Sequence, residues 1–289
     1  MQAIFVLTEA FKRWWGSRRF RDLGFRTVTY ALPDEGEVCY AEWLHTASEN
    51  PVITQAQVDF FKRFIRPGAL AIDIGAHEDD TTVPMALAAG PGGMVLGIEP
   101  NSYVFKVLAV DATFNRDKTN IVPLHFAAAT DDAEYVYGSG DPCFLNGGLV
   151  GFSSNRPSNN RWTFKVRGCN LARFLDERYA GWLSRLAFIK IDVEGYDKEI
   201  LKNLSGIIER YRPVVVAECF GELNAAERAD LFDGLAKHDY RIFRLSEFQL
   251  GRRDAMSPED MLTWRHFDIL GIPVEIAPGP ASPGQLGED

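Results

Sequence analysis

Four short stretches of the chain hold residue types that could do chemistry. In "ALAIDIGAHEDDTT" (69–82) an apolar run closes on Asp73, Gly75 opens a turn, and His77, Glu78, Asp79 and Asp80 follow. In "VLGIEP" (95–100) Glu99 ends a second apolar run. In "FIKIDVEG" (188–195) Lys190, Asp192 and Glu194 end a third, and in "VVVAEC" (214–219) Glu218 ends a fourth. Open α/β sheets bind their ligands beyond the carboxyl ends of the strands, where the strand order reverses. A carboxylate at the position of Glu99 can accept both hydroxyls of a ribose, which suits either NAD or S-adenosylmethionine. The first turn separates the two. A pyrophosphate needs a G-x-G-x-x-G turn opening on a helix N-terminus, whereas this turn has no second glycine and carries three carboxylates. S-adenosylmethionine bears a sulfonium, an ammonium and a carboxylate and is a net cation, so an acidic pocket suits it.

Alternation along a strand aims Asp192 and Glu194 to the same side. A carboxylate there can take the proton of an acceptor hydroxyl directly, or act through a divalent cation such as Mg²⁺ that lowers the hydroxyl's pKa. Asp192 and Glu218 are the candidate ligands for such a metal. His77 is a third candidate base, with positioning of the turn as its competing role. Glu194 could equally hydrogen-bond backbone amides of the following turn. Thr81 and Thr82 stand where a helix cap is wanted, His125 reads as a core histidine, and Lys190 as a structural partner of a nearby acid.

The elements that must position these residues follow from the pattern. From residue 55 helices and apolar strands alternate. "QAQVDFFKRFI" is an amphipathic helix stopped by Pro67-Gly68. Strands are expected at "ALAIDI", "GMVLGIEP", "NIVPLHFAAA", "LAFIKID" and "RPVVVAEC", with edge strands from "YRIFRL" and "RHFDILGIP". Helices are expected from near Thr82, from Ser102 to Asn115, from Asp197 to Tyr211 and near Ala225 to Lys237. Continuous apolar runs between helices predict an α/β, doubly wound, mostly parallel seven-stranded sheet. Residues 1–54 read as an extension, with a basic, aromatic helix over 1–22 and a β-hairpin around Pro33–Gly36. Residues 55–272 form the main domain. Within it 131–165, rich in Gly, Ser, Asn and aromatics, reads as a lid insertion, whose Tyr135, Tyr137, Phe144, Phe152 and Trp162 suit stacking on a sugar face. The Pro/Gly-rich tail 273–289 reads as disordered.

Composition sets the bounds. The chain has 289 residues, 46% hydrophobic and 25% charged, enough for one large α/β domain with additions. A net charge of −9 disfavours nucleic acid as a partner. The four cysteines form no CxxC pair, which argues against a disulfide framework or zinc cluster and for a reducing, cytoplasmic setting. No apolar run approaches a transmembrane length of about 18 residues, and no positive n-region of a signal peptide opens the chain. The oligomeric state stays open, a dimer included.

Taken in order, "AIDIGAHEDDTT", "GIEPNSYVFKVL", "FIKIDVEGYDKEILKNL" and "VVVAEC" resemble the FkbM family of S-adenosylmethionine-dependent methyltransferases, over roughly Gln57 to Cys219. The run Lys190–Gly195 is the most specific element. The resemblance implies a class I, Rossmann-like methyltransferase fold and O-methylation of a hydroxyl on a small-molecule or glycan acceptor, a sugar or a secondary metabolite. It implies that Asp73, Gly75, Ala76, His77 and Thr82 line the methionine end of the cofactor and that Glu99 holds the ribose. Pro100, Asn101 and Phe105 would flank the adenosine with Ala128 beside them, and Asp192 and Glu194 would lie at the transfer site. Asp79 stands where the family turn usually has glycine, which predicts weakened cofactor binding. Two other readings follow from the residues: an NAD-dependent oxidoreductase, against which the missing glycines and the absent Tyr-x-x-x-Lys pair count, and a degenerate cofactor-binding module, motivated by Asp79.

Overall fold

A computed structural model describes residues 24–44, 51–77, 80–140, 147–151, 162–246, 248 and 255–277. The expected helix over 1–22, Phe144, Phe152 and the tail beyond Ala277 lie outside the described residues. Thirteen strands and seven α-helices make up the described part. A hairpin of β1 (Phe25–Leu32) and β2 (Gly36–Trp43) comes first, followed by helix α1 (Gln55–Lys62). Strand β3 (Leu70–Ile74), α2 (Thr82–Ala89), β4 (Met94–Ile98), α3 (Ser102–Asp111) and β5 (Ile121–Leu124) alternate as the apolar pattern requires. Then come β6 (Ala127–Ala129), β7 (Glu134–Ser139), β8 (Gly148–Leu149), β9 (Trp162–Asn170), α4 (Leu171–Leu183) and β10 (Leu186–Ile191). The chain continues with α5 (Asp197–Asn203), α6 (Ser205–Tyr211), β11 (Val214–Cys219), α7 (Ala225–Ala236), β12 (Tyr240–Leu245) and β13 (Phe267–Pro273).

Seven strands form the main sheet in the order β12-β13-β11-β10-β3-β4-β5. Pairs from β11 through β5 are parallel, while β13 runs antiparallel to both β11 and β12. The sheet is therefore mixed, with its single reversed strand set inside it, between two strands that point the other way. Side chains alternate between two apolar layers. Leu70, Ile72, Ile74, Ile189 and Ile191 face one core, completed by residues of α4 to α7. Ala71, Val95, Phe188 and Val216 face the other, completed by α1 and α2. All eight residues of α2 are buried, so this helix is held by packing on both sides rather than by an amphipathic face.

Two expected elements divide and a third ends early. The run "NIVPLHFAAA" splits because β4 ends at Ile98 opposite Leu124, leaving the following residues no neighbour there. They pair instead with β9, in a second, four-stranded sheet of order β6-β9-β7-β8. His125 lies at this break, exposed and stacked on Phe105 with ring centroids 4.4 Å apart, and so is not a core residue. The helix expected over Asp197–Tyr211 is two, because Leu204 leaves helical dihedrals (φ −85°, ψ 2°). Helix α3 ends at Asp111, and Asn115 turns into the left-handed region at φ 49°.

That turn docks the hairpin. Asn115 Oδ1 accepts from Cys39 N at 2.9 Å and its Nδ2 donates to Cys39 O at 2.8 Å, pairing with the strand edge as a further strand would. Asp111 Oδ1 accepts from Ala41 N at 2.8 Å, and Lys118 Nζ donates to Glu35 O and Glu37 O at 2.8 and 2.6 Å. Ala41 and Trp43 then bury against Val104 and Val107 of α3. We expect Asn115→Ala to leave the Cys39 groups unpaired and to strain a left-handed position, costing about 1–3 kcal/mol of stability in urea denaturation. A loss below about 0.5 kcal/mol would mean that water replaces the amide at no cost.

Candidate functional site

Strand order reverses beside β3: β4 and β5 lie to one side of it, β10 and β11 to the other. A cavity of about 340 Å³ opens at the carboxyl edge there. Its walls are the first turn (Gly75, Ala76, His77, Asp80), the end of β4 (Glu99, Pro100), and Ala127 and Ala128 of β6. The second sheet adds Tyr137 and Gly147–Leu149, the end of β10 adds Asp192, Val193 and Glu194, and Glu218 and His266 close the far side.

The first turn is clamped from both flanks. Gly75 N and Ala76 N both donate to Ile98 O at 3.0 Å, and Asp192 N donates to Ile74 O at 2.9 Å. Gly75 sits at φ +79°, and a Cβ built there would lie 1.9 Å from the carbonyl oxygen of Asp192. Glycine is thus required by the backbone of β10 as well as by the turn. His77 follows at φ 45°, its ring edge-on to Trp43 of the hairpin. Its amide donates to Glu99 Oε2 at 3.0 Å, and Asn101 N donates to Glu99 Oε1 at 2.6 Å. Glu99 is 3% exposed. Burial pushes its carboxyl up to about 7, against the pull of these two backbone donors. Each oxygen keeps acceptor capacity beyond its one backbone bond.

An ion cluster that the parallel register builds lines this wall, with Asp73 behind it. Lys190 of β10 is the cross-strand neighbour of Asp73 of β3. Its Nζ stands 3.7 Å from Asp73 Oδ1 and 3.1 Å from Asp192 Oδ2. Burial works against its positive charge, but Asp192, Asp73 and Asp80 outweigh it and hold the ammonium protonated well above the ordinary lysine range. Asp73 is fully buried and its Oδ2 accepts from the hydroxyls of both Thr81 and Thr82 at 2.7 Å. The two threonines are therefore not side-chain caps of α2; their hydroxyls pin the helix start to the strand end.

On the far side Asp197 is buried, with Oδ2 accepting from Gly195 N at 3.1 Å and Oδ1 from Glu218 N at 3.2 Å. Glu194 lines the cavity at φ 57°. Glu218 Oε1 lies 2.9 Å from His266 Nε2. Burial, then the charge of Asp192, drives the carboxyls of Asp197 and Glu218 well above the usual range, and Asp268 up to about 6.

Of the residues singled out in the sequence, Gly75, Ala76, His77, Asp80, Glu99, Pro100, Ala128, Lys190, Asp192, Glu194 and Glu218 line one cavity. Asp73 and Thr82 stand behind its wall. Asn101 is buried and caps α3 through Tyr103 N, and Phe105 is engaged with His125, so neither lines it. Tyr137 lines it, whereas the Tyr135 hydroxyl donates to Asp131. Glu78 and Asp79, and with them the expected weakening by Asp79, lie outside the described residues. Among the described residues no three His, Cys, Asp or Glu side chains are grouped to hold a metal ion, so Asp192 and Glu218 do not form a ligand set with a third such residue. Sequence reasoning missed His266, whose only signal is a titratable residue at the entrance of a strand, and Asp197, an acid two residues past a turn glycine.

The model of the "Methyltransferase FkbM domain" matches residues 73–242, more than half of the chain. The chain belongs to the FkbM methyltransferase family. An S-adenosylmethionine-dependent methyltransferase domain is thereby assigned. No curated protein matches this FkbM-family chain. Among solved structures it is similar to a methyltransferase FkbM from Methylobacillus flagellatus, at 14% identity and a TM-score of 0.40, over 74% of this chain and 50% of that one. It is also similar to fibrillarin from Aeropyrum pernix with natively bound S-adenosyl-L-methionine, at 16% identity, TM-score 0.39, over 89% and 86%. A third is an S-adenosylmethionine-dependent O-methyltransferase from Thermotoga maritima, at 12% identity, TM-score 0.37, over 87% and 78%. This chain spans half the length of the Methylobacillus protein, and similarities of this size carry no argument about activity. No described helix is long and apolar enough to cross a membrane.

The lysine cluster yields a stability test. Lys190→Met keeps the length and removes the charge, leaving the buried Asp73 carboxylate without its cation. We expect a loss of about 3–5 kcal/mol in urea denaturation, as for a buried pair stripped of one partner. Wild-type stability in this variant would mean that Asp73 is held by its threonines alone.

Proposed function

We propose that this chain transfers a methyl group from S-adenosylmethionine to a hydroxyl of a sugar, glycan or secondary metabolite. The observation that carries the reading is Glu99: a buried carboxylate at the end of β4, fixed by two backbone donors, with acceptor capacity left toward the cavity. The cofactor, when bound, supplies an electrophilic methyl group on a sulfonium. The donor set fits it: an acid for the ribose diol, Ile98, Pro100 and Ala128 as apolar surface for the base, and a turn whose glycine allows close backbone approach. Gly75, Ala76 and His77 hold the methionine end in this reading, and Asp192, paired with Lys190, faces the positive end of the cofactor.

An alkyl hydroxyl is far too weak an acid to ionise beforehand at neutral pH, so a group on the wall takes its proton during transfer. The far side, from Asp192 to Glu218 and His266, is where an acceptor would lie, with Tyr137 as a face for a sugar ring. A chelator decides the metal question: activity lost and restored by Mg²⁺ would give Asp192 and Glu218 that role.

Two calorimetric results test the cofactor site. Glu99→Ala should lose about 1–3 kcal/mol of S-adenosylmethionine binding, the cost of leaving buried donors unpaired. The sign of the pH dependence follows from the raised carboxyl of Glu99. Above about pH 7 it is ionised and accepts both hydroxyls. Below that it is protonated, loses acceptor capacity, and wild-type affinity falls by up to tenfold per unit. Unchanged affinity in the variant would remove the ribose assignment. Binding in wild type without methylation of any hydroxyl in a broad acceptor panel would instead favour a module that holds the cofactor and does not turn over.

A further inference from the structure

We propose that His266 is the catalytic base of this transfer, taking the acceptor's proton on its imidazole while Glu218 fixes the ring. The proposal rests on the methyltransferase reading above and goes beyond it by naming the proton's destination. Topology delivers the residue. Because β13 runs against its neighbours, its entrance, not its exit, lies at the carboxyl edge of the sheet, and His266 is the residue before that entrance. It lines the same cavity as Asp192 and Glu99.

Three observations show a built position. His266 Nε2 is 2.9 Å from Glu218 Oε1, and Glu218 is 5% exposed. Glu218 Oε2 has no hydrogen bond among the described residues. The segment leading into His266 is tied down by a buried cation: Arg228 Nη1 donates to Met261 O at 2.8 Å and to Trp264 O at 2.9 Å, and its Nη2 donates to Arg265 O. The imidazole also meets the ring of Phe220, centroids 5.9 Å apart. A guanidinium spent on three carbonyls just before a pocket histidine is what fixing that histidine requires.

The other candidate, Asp192, is already engaged by the Lys190 ammonium 3.1 Å away. The charged groups near His266 include Glu218 from β11, Asp268 on β13, Arg265 just before it, and Asp192 and Glu194 after β10, with Lys190 beside Asp192. With Nε2–H given to Glu218, the lone pair is on Nδ1. The hydroxyl oxygen bonds to the methyl carbon as the carbon–sulfur bond breaks with its electron pair left on sulfur. The oxygen–hydrogen bond breaks with its pair left on oxygen, and the proton goes to Nδ1. Methyl ether, thioether and imidazolium result, and the imidazolium later returns its proton to water.

The test uses the full chain, labelled S-adenosylmethionine and a pool of neutral monosaccharides and hydroxylated natural products as acceptors. His266→Ala should bind the cofactor as wild type does in calorimetry, lower kcat by about 10²–10⁴-fold, and regain part of the rate with added imidazole. Glu218→Gln should lower kcat with cofactor affinity unchanged, because it alters the contact that fixes the ring. On the protein alone, ¹⁵N spectra should show the His266 ring protonated at Nε2 in wild type and losing that preference in Glu218→Gln. A wild-type kcat in His266→Ala, or a ring indifferent to Glu218→Gln, overturns the base while leaving the methyltransferase reading intact. So does a loss of the stated size in Asp192→Asn with none in His266→Ala. A wild-type protein that neither binds the cofactor nor methylates the pool overturns the reading beneath.

Discussion

A single ammonium group organises this site. Lys190 is 10% exposed, and the parallel register that sets it beside Asp73 also leaves Asp192 two residues further along the same face. An ion this deep loses most of its hydration, and close carboxylates of opposite charge offset that cost. The carboxylate of Asp73 is shared: one oxygen faces Lys190, the other holds Thr81 and Thr82. The start of α2, the end of β3 and the end of β10 are thus fixed through one charge cluster, and the cavity is the space these three ends leave between them.

Around that cation the carboxylates outnumber their partners. Burial, and after it the charge of Asp192, raises the proton affinity of Asp197, Glu218 and Asp268 at the far side. Such crowding is costly in a folded protein and is the usual mark of a place where protons move or cations bind. Glu99 is the counterpart on the near side, raised by burial although two amides hold it. The cavity is therefore bounded at both ends by acids whose protonation is set by surroundings rather than by solvent.

The central strands and the acids that end them were legible in the sequence, because five-residue apolar runs between helices have few other solutions. Glu99, Asp192 and Glu218 came to one cavity because a parallel sheet puts all such strand ends on one edge. What was not legible depends on distant partners. Nothing near Gly75 says that a Cβ would meet Asp192, residues away in another strand. The run around His125 gives no sign that β4 stops opposite Leu124. Asp73 and Thr82 belong to the site's foundation rather than its surface, which only the register reveals. The direction of β13 is set by pairing, and without it His266 is an exposed histidine like any other.

That reversed strand also imposes an order of assembly. Within the main sheet β12 hydrogen-bonds only to β13, and β13 fills the gap between β12 and β11. As the chain leaves the ribosome, β12 emerges first and waits with no neighbour, while β11 presents an open edge. Only when residues 267–273 have emerged can the sheet close, with β13 pairing to the edge of β11 on one side and to β12 on the other. The open edge is the interval in which a nascent chain is most exposed to wrong pairing. The far wall of the cavity is finished in the same event, so closure of the sheet and completion of that wall are one step.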